Sequence, residues 1–356
     1  MNTTASSTAT GTGSLQLEYL SSQEIASQSA AWWQGVLGVV GFEKTPNIDC
    51  ARVPVTAGMI RSLGAKDLCE VWRVAGPAVR LCSGSPHARV SYRFSDDLLF
   101  GSLRISERAI DAHNEAANET ANEAGPLQRA TEIAYQEIFD VLDATEHRHL
   151  IRIWNYLPEI NAQAGGEERY RHFNSARQMA FRKSGRATMG TVPAACALGS
   201  PAGSPLSIYF LAARRPARMI ENPRQTSAYH YPPKFGRHSP IFSRACVWGE
   251  SDCGRLFVSG TASIVGHETI HRGDVVAQTR ETLVNIAALL AEANRIVGWS
   301  DYSLNDLRLK VYVRKPSDLP AVEATLSELL NPAASIVYLQ ADVCREDLLV
   351  EIEAVG

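Results

Sequence analysis

A thiol and two carboxylates lie close together near the end of the chain, in Asp342-Val-Cys344 and Leu349-Val-Glu351-Ile-Glu353. From Leu348 to Val355 apolar and polar residues alternate, the pattern of a strand. Leu348, Val350, Ile352 and Ala354 share one face, and Leu349, Glu351 and Glu353 the other. Two carboxylates on one strand face fit a solvated face. They also fit a pocket in which Glu351 works as a general acid or base, with Cys344 earlier in the same wall. Strand periodicity alone does not choose.

Further candidates lie upstream. Arg177 and Tyr170 fall on a predicted helix, Glu167 to Lys183, two turns apart and so on one face. Arg244 closes Ser239-Pro-Ile-Phe-Ser-Arg, read as a strand, and Tyr229 and Tyr231 share one face if their segment is extended. Surface ion pairing and rim packing are the plain readings of these side chains. His267-Glu-Thr-Ile-His271 has the HExxH form of a zinc site, which requires a helix. Gly266 and Gly273 leave too short a segment for one, so the histidines read as turn residues. No other metal or cofactor signature is present, and none of either is expected.

The elements that must position these residues become legible from Leu98. Leu98–Ile105 reads as a strand, and the polar stretch Asp111–Gly125 as an exposed connection. Pro126 opens a helix with Leu127, Ala130, Ile133, Ala134, Ile138, Val141 and Leu142 at helical spacing. His149–Tyr156 is a strand, followed by the Glu167–Lys183 helix. The same order then returns. Arg255–Ile264 is a strand, and Asp274 caps a helix bearing Val276, Leu283, Ile286 and Leu290, with Gly298 past its end. Leu307–Val313 alternates, with Leu307, Leu309, Val311 and Val313 inward and Arg308, Lys310 and Tyr312 outward. Ser317 or Asp318 caps a third helical segment with Val322, Leu326, Leu329 and Leu330 on one face. The expected fold class is α+β: two halves of one design, 17–220 and the less diverged 221–356, each a mixed sheet with helices on one face.

The 356 residues suffice for one large domain or two of ordinary size, and 45% are hydrophobic. A net charge of −3 argues against nucleic acid or an acidic membrane surface as the main partner. No apolar run reaches the roughly 18 residues of a membrane span. Residues 1–16 are mostly Thr, Ser, Ala and Gly with no basic residue, so they read as a disordered leader rather than a signal peptide. The seven cysteines, at 50, 69, 82, 196, 246, 253 and 344, are odd in number and contain no CxxC pair. That pattern fits reduced thiols in the cytoplasm.

The second half resembles the RidA/YjgF family. The resemblance is carried by Ser239-Pro-Ile-Phe-Ser-Arg-Ala245, Leu256-Phe-Val-Ser-Gly260, Gly273-Asp-Val-Val-Ala-Gln-Thr-Arg280, Asn285-Ile286 and Leu349-Val-Glu-Ile-Glu-Ala354. It implies a chorismate-mutase-like fold. Simple members of that family are homotrimeric imine deaminases with a carboxylate-binding Arg on the penultimate strand. Here that strand reads Ile336-Val-Tyr-Leu, which argues against imine deamination.

A wider resemblance, to the chorismatases, rests on five motifs in order: Ile153-Trp-Asn-Tyr-Leu-Pro-Glu-Ile-Asn161, Glu168-Arg-Tyr-Arg-His-Phe-Asn-Ser-Ala-Arg177, Glu221-Asn-Pro-Arg-Gln-Thr-Ser-Ala-Tyr-His-Tyr-Pro232, Ser239–Ala245 and the segment from Asp342 to Glu351. It implies that chorismate, a small dianion, is the substrate. Tyr170, Arg177, Tyr229, Tyr231 and Arg244 would bind it, since Arg pairs with carboxylate in two places. Glu351 would protonate the enolpyruvyl methylene. Members that aromatise the ring carry a Cys seven residues before the Glu, and hydrolytic members a small residue. Cys344 therefore implies the 3-hydroxybenzoate-forming type, in which the ring hydroxyl traps the cation and the thiol either donates a proton or displaces water. The diol, 4-hydroxybenzoate and a non-catalytic RidA-like binder remain as alternatives. The assembly is expected to be a monomer or a homotrimer.

Overall fold

The computed structural model describes residues 15–43, 46, 53–57, 59–64, 67–74, 80–83, 89–110, 125–250 and 254–356. Residues 1–14 of the expected leader, 111–124 of the expected connection, and Cys50 and Cys253 lie outside these. Leu15 and Gln16, assigned above to the leader, instead begin a strand.

Three larger sheets and two two-stranded hairpins are present among the described residues. The first strands are β1 (Leu15–Ser21), β2 (Val36–Gly41), β3 (Val55–Ala57), β4 (Arg61–Ser62) and β5 (Leu68–Val74), with short helices α1 (Ser22–Ala26) and α2 (Ala30–Gln34). A four-stranded sheet runs β1-β5-β2-β3. The next segment supplies β6 (Arg80–Ser83), β7 (Ser91–Phe94), β8 (Leu98–Ile105), α3 (Pro126–Ala144), β9 (His149–Pro158), a small hairpin of β10 (Gln163–Ala164) and β11 (Glu167–Glu168), α4 (Arg169–Lys183), β12 (Ala194–Ser200) and β13 (Leu206–Ala213). The last supplies β14 (Arg218–Ile220), β15 (Ala245–Trp248), β16 (Arg255–Thr261), a hairpin of β17 (Ile264–Val265) and β18 (Glu268–Thr269), α5 (Val275–Val297), β19 (Arg308–Val313), α6 (Leu319–Leu329), β20 (Ser335–Gln340), β21 (Asp342–Val343) and β22 (Val350–Val355).

The duplication expected from element order is present in the pairing. One seven-stranded sheet contains the run β12-β9-β13-β8-β7, and the other the matching run β20-β19-β22-β16-β15. In each, one pair is parallel, β9 with β12 and β19 with β20. The sheets do not follow a division at residue 220 strand by strand. Residues 15–74 mostly form the separate four-stranded sheet, and β14 belongs to the sheet of the second half. The seven-stranded sheets also exchange edges: β21 pairs with β12, and β4 with β20.

Local signals set the helices. Pro126 occupies the first turn of α3. The Asp274 side chain accepts from the Ala277 N–H, and Gly298 closes α5 in the left-handed conformation with φ 71°. Each helix pair buries its apolar stripe on the outer face of its own sheet. Leu127, Ala134, Ile138 and Phe181 meet Ile153, Ile208 and Phe210; Leu283, Ile286, Val322 and Leu326 meet Leu309, Val311, Val350 and Ile352. The inner faces of all three sheets share one core, in which Trp154 stacks on Tyr209 at 4.4 Å and Trp72 bridges Trp154 and Phe257. Lys310 and Tyr312, expected to point outward, are buried there, because the face that is not covered by helices is covered by another sheet.

Candidate active site

Alternation on β22 sends Val350, Ile352 and Ala354 into the helix-covered core, and Glu351 and Glu353 onto the inner face. Neither carboxylate is solvated: Glu351 is 4% exposed and Glu353 2%. Room for Glu351 comes from the neighbouring strand. The β16–β22 register slips between Val258 and Thr261, and Gly260 lies in that bulge. A Cβ on Gly260 would lie 1.9 Å from Glu351 Oε1 and 3.1 Å from the Cys196 Cβ, so only glycine leaves the carboxyl where it is.

The two carboxyls are held in opposite states. Burial pushes Glu351 up, and the charge of Glu353 pushes it further, to about 8, against the pull of Arg152, Arg314 and Arg244. Burial also pushes Glu353 up, but Lys310 and Arg152 together outweigh it and hold that carboxyl below its ordinary range. Both cations make ion pairs with Glu353, and Trp154 Nε1 and Tyr312 OH donate to it at 2.9 and 3.1 Å. Lys310 also pairs with Glu70 of β5 at 2.7 Å. This buried network draws on all three sheets, and it leaves Glu351 protonated at neutral pH beside an ionised neighbour. Two carboxyls on one strand face that differ in this way are the pattern of a general acid.

Glu351 forms the floor of a cleft between the halves. The first half contributes Glu168, Tyr170 and Arg171, and the connecting segment Tyr231, Phe235, Phe242 and Arg244. The second half contributes Gly260, Ile264, Cys344, Arg345 and Leu348. Arg244 Nη2 donates to Thr226 O at 2.7 Å and to Tyr231 OH at 2.8 Å, while its buried Nε has no protein partner. Arg345 lies over the Phe235 ring at 4.1 Å and donates to His267 O, leaving its Nη2 without a protein partner. Burial, then the charge of Glu351, pushes the Cys344 thiol up to about 12, so it is a neutral thiol rather than a thiolate. Aromatic walls, two arginines with spare donors and a protonated acid suit a small anion that must receive a proton.

Of the residues singled out from sequence, Glu351, Cys344, Tyr170, Tyr231 and Arg244 come together in this cleft. Arg177 does not line it. Its buried guanidinium lies over Tyr135 and Phe181 at 5.3 and 5.5 Å, with Nε and Nη2 unpaired. Tyr229 also falls outside the wall and packs on the first half's core. Ala228–His230 is a 3₁₀ turn rather than a strand, so Tyr229 and Tyr231 do not share a face. Pro240–Phe242, read as strand, is irregular, and β15 starts only after Arg244. In the HETIH segment, Glu268 and Thr269 form a hairpin strand, and His271 has φ 57°, so the helical spacing of a zinc site is absent. Sequence reasoning missed Gly260, Arg345 and the cations under Glu353. Their signals were available: a glycine in a strand, an Arg beside Cys344, and Arg152 and Lys310 in otherwise apolar strands.

With this geometry in view, comparison with known proteins is decisive. A chorismatase of Streptomyces rapamycinicus is 38% identical over 310 residues, 85% of this chain and 86% of that protein. The chain belongs to the chorismatase family. A 3-hydroxybenzoate synthase of Streptomyces hygroscopicus is 42% identical over 240 residues, 65% of this chain and 70% of that protein. The family model described as "Chorismatase FkbO/Hyg5-like, N-terminal" matches residues 70–212. A solved chorismatase structure superposes with a TM-score of 0.81 at 31% identity, covering 98% of this chain and 99% of that chain. A RutC family protein of Pyrococcus horikoshii is 31% identical over 104 residues, 28% of this chain and 77% of that protein, in accord with the RidA/YjgF-like resemblance. In this chain, the cleft is the place where side chains from both halves meet Glu351.

Proposed function

We propose that this protein converts chorismate to 3-hydroxybenzoate and pyruvate in the cleft above Glu351. The observation that carries the reading is the buried Glu351, its carboxyl pushed up to about 8, facing a cleft lined by Arg244, Arg345 and Cys344. Kinship with a 3-hydroxybenzoate synthase supports the choice of product.

Arg244 and Arg345, which both line the cleft, hold the two carboxylates of the substrate. Tyr231, fixed by Arg244, and Tyr170 flank the ring. Glu351 gives its proton to the enolpyruvyl methylene, and the electron pair of that double bond forms the new C–H bond. The ether carbon becomes an oxocarbenium. The ring hydroxyl oxygen then attacks the ring carbon bearing the ether. The C–O bond to that carbon breaks and its electron pair completes the carbonyl of pyruvate. Attack releases the hydroxyl proton, which restores the proton of Glu351; the strained oxide then opens, and the ring proton lost on aromatisation balances the one its oxygen takes up. Atoms balance with no water consumed. The neutral Cys344 thiol occupies the space a water would need, so the hydrolytic route to the diol is closed.

Both walls of the cleft come from one chain, which favours a monomer as the working unit. The side chains of Cys69, Cys196, Cys246 and Cys344 are free thiols, in keeping with a cytoplasmic setting, and no helix among the described residues is long and apolar enough to cross a membrane. The test is to incubate the protein with chorismate, assay pyruvate and resolve the aromatic product by chromatography. Equimolar pyruvate and 3-hydroxybenzoate are expected. Pyruvate with the diol or with 4-hydroxybenzoate overturns the product assignment, and no pyruvate overturns catalysis.

A further inference from the structure

Cys344 sits on a loop between β21 and β22 that neither strand holds. Gln278, Thr269 and Arg272 hold its far end at Asp347 and Leu349, and the side chain that holds the part around Cys344 is Arg314, the residue after β19. Its Nε donates to Leu348 O at 2.8 Å, and its Nη2 to Val343 O at 2.9 Å and Arg345 O at 2.8 Å. The last two are the carbonyls on either side of Cys344. Its Nη1 donates to Asp342 Oδ1 at 2.7 Å and to Asn161 Oδ1 at 3.0 Å. Asn161 belongs to the first half, and its Nδ2 donates to Glu168 Oε1 at 3.0 Å, in the opposite wall of the cleft. One guanidinium therefore grips the Cys344 loop at four points and ties it to the facing wall.

We infer that Arg314 is the positioning residue for product choice: by clamping the backbone around Cys344 and joining it to Asn161, it fixes the distance between the thiol and the bound ring. This rests on the reading that Cys344 excludes water from the cation. A planar fork with five donors can make these contacts together, whereas an ammonium makes fewer and in no fixed plane. A functional group must be held within about 0.5 Å of its productive geometry by its supporting contacts, so losing the clamp loosens the thiol against the ring. The clamp therefore acts on where the cation goes, not on whether it forms.

Arg314 also faces Glu351, together with Arg152 from β9, Arg244 from the connecting segment and Glu353 from β22. Cys196 of β12, Tyr170 of α4 and Cys344 face the same carboxyl. A test must therefore keep the charge and remove the fork. Arg314→Lys does so. With chorismate as the probe, Arg314→Lys is expected to release pyruvate within about tenfold of the parent rate while the ratio of diol to 3-hydroxybenzoate rises at least tenfold, each tenfold being about 1.4 kcal/mol between competing barriers. Cys344→Ala is expected to move the ratio the same way, and the double variant to match Cys344→Ala alone, because one residue acts through the other. Parent-like products from Arg314→Lys overturn the clamp and leave the role of Cys344 standing. Parent-like products from Cys344→Ala overturn both. A double variant whose ratio exceeds that of Cys344→Ala shows Arg314 acting by another route and also overturns the inference. If Arg314→Lys does not fold, Asn161→Ala, which cuts the tie to the facing wall, is judged by the same criteria.

Discussion

The two seven-stranded sheets carry the same strand order but different residues at the matching place. Inward-facing positions on β13 hold Tyr209, Leu211 and Ala213; those on β22 hold Glu351 and Glu353. The first copy carries no carboxylate at these positions of its central strand and instead supplies groups that the second copy's carboxyls meet. Arg152 and Trp154 of β9 hold Glu353, and Glu168 and Tyr170 wall the cleft. Once two copies share one chain, each inner face is free to specialise, because a core is satisfied by any set of buried groups whose charges and hydrogen bonds are paired.

The comparison breaks most sharply at the acid. Glu351→Gln keeps the shape and loses the proton, so pyruvate release is expected to fall by a factor of about 100 or more, the span of general acid catalysis. Chorismate binding, read by calorimetry, should stay within about tenfold, or 1.4 kcal/mol. More than about a tenth of parent turnover would remove Glu351 as the acid.

Glu353→Gln tests the neighbouring position. It leaves Arg152 without its buried partner, which is expected to cost about 3 kcal/mol of stability in denaturant unfolding. It also removes the negative charge that helps keep Glu351 protonated, so the basic limb of kcat/KM should move to lower pH. A limb that stays in place means that burial alone tunes the acid.

On the cleft wall, Arg244→Ala should weaken chorismate binding by about 2–3 kcal/mol, the worth of a charge-assisted hydrogen bond. An unchanged saturation curve would put the carboxylates elsewhere.

The pH dependence of stability gives a subtler readout. The Glu351 carboxyl moves from 4.5 to about 8 on folding, so between these values the folded chain holds a proton the unfolded chain has lost. Its contribution is present below pH 4.5 and is lost as pH rises toward 8. The slope approaches 1.4 kcal/mol per pH unit. Thermal unfolding of parent and Glu351→Gln across this range should diverge, with the variant gaining relative stability at the alkaline end. The smallest effect on binding is expected for Arg177→Ala, whose guanidinium lies within the first half's core: less than about tenfold in KM, with the loss appearing in the melting temperature instead.

Much of this was legible in the chain. The alternation from Leu348 to Val355 puts both glutamates on one face, and Pro126, Asp274 and Gly298 mark helix ends through local chemistry. Five motifs in order carry the family. Local rules failed where distant chain decides the environment. Lys310 and Tyr312 sit on the polar side of a clean alternation yet are buried, because a second and a third sheet cover that side. The spacing of Tyr229 and Tyr231 suggested one face, and a 3₁₀ turn separated them.

The elements, their repetition and the residue types on offer follow from the order of amino acids, since periodicity, caps and turn residues act over a few positions. Tertiary structure decided which carboxyl is pushed up and which is held down. Glu351 and Glu353 are alike in sequence, two apart on one strand, and propensity cannot separate them. Their difference comes from residues far away in the chain, Arg152 and Glu70, together with Lys310 on the adjacent strand, meeting around one carboxyl and leaving the other buried beside a glycine. A charge is set by everything within a few ångströms, and only the folded chain fixes what that is.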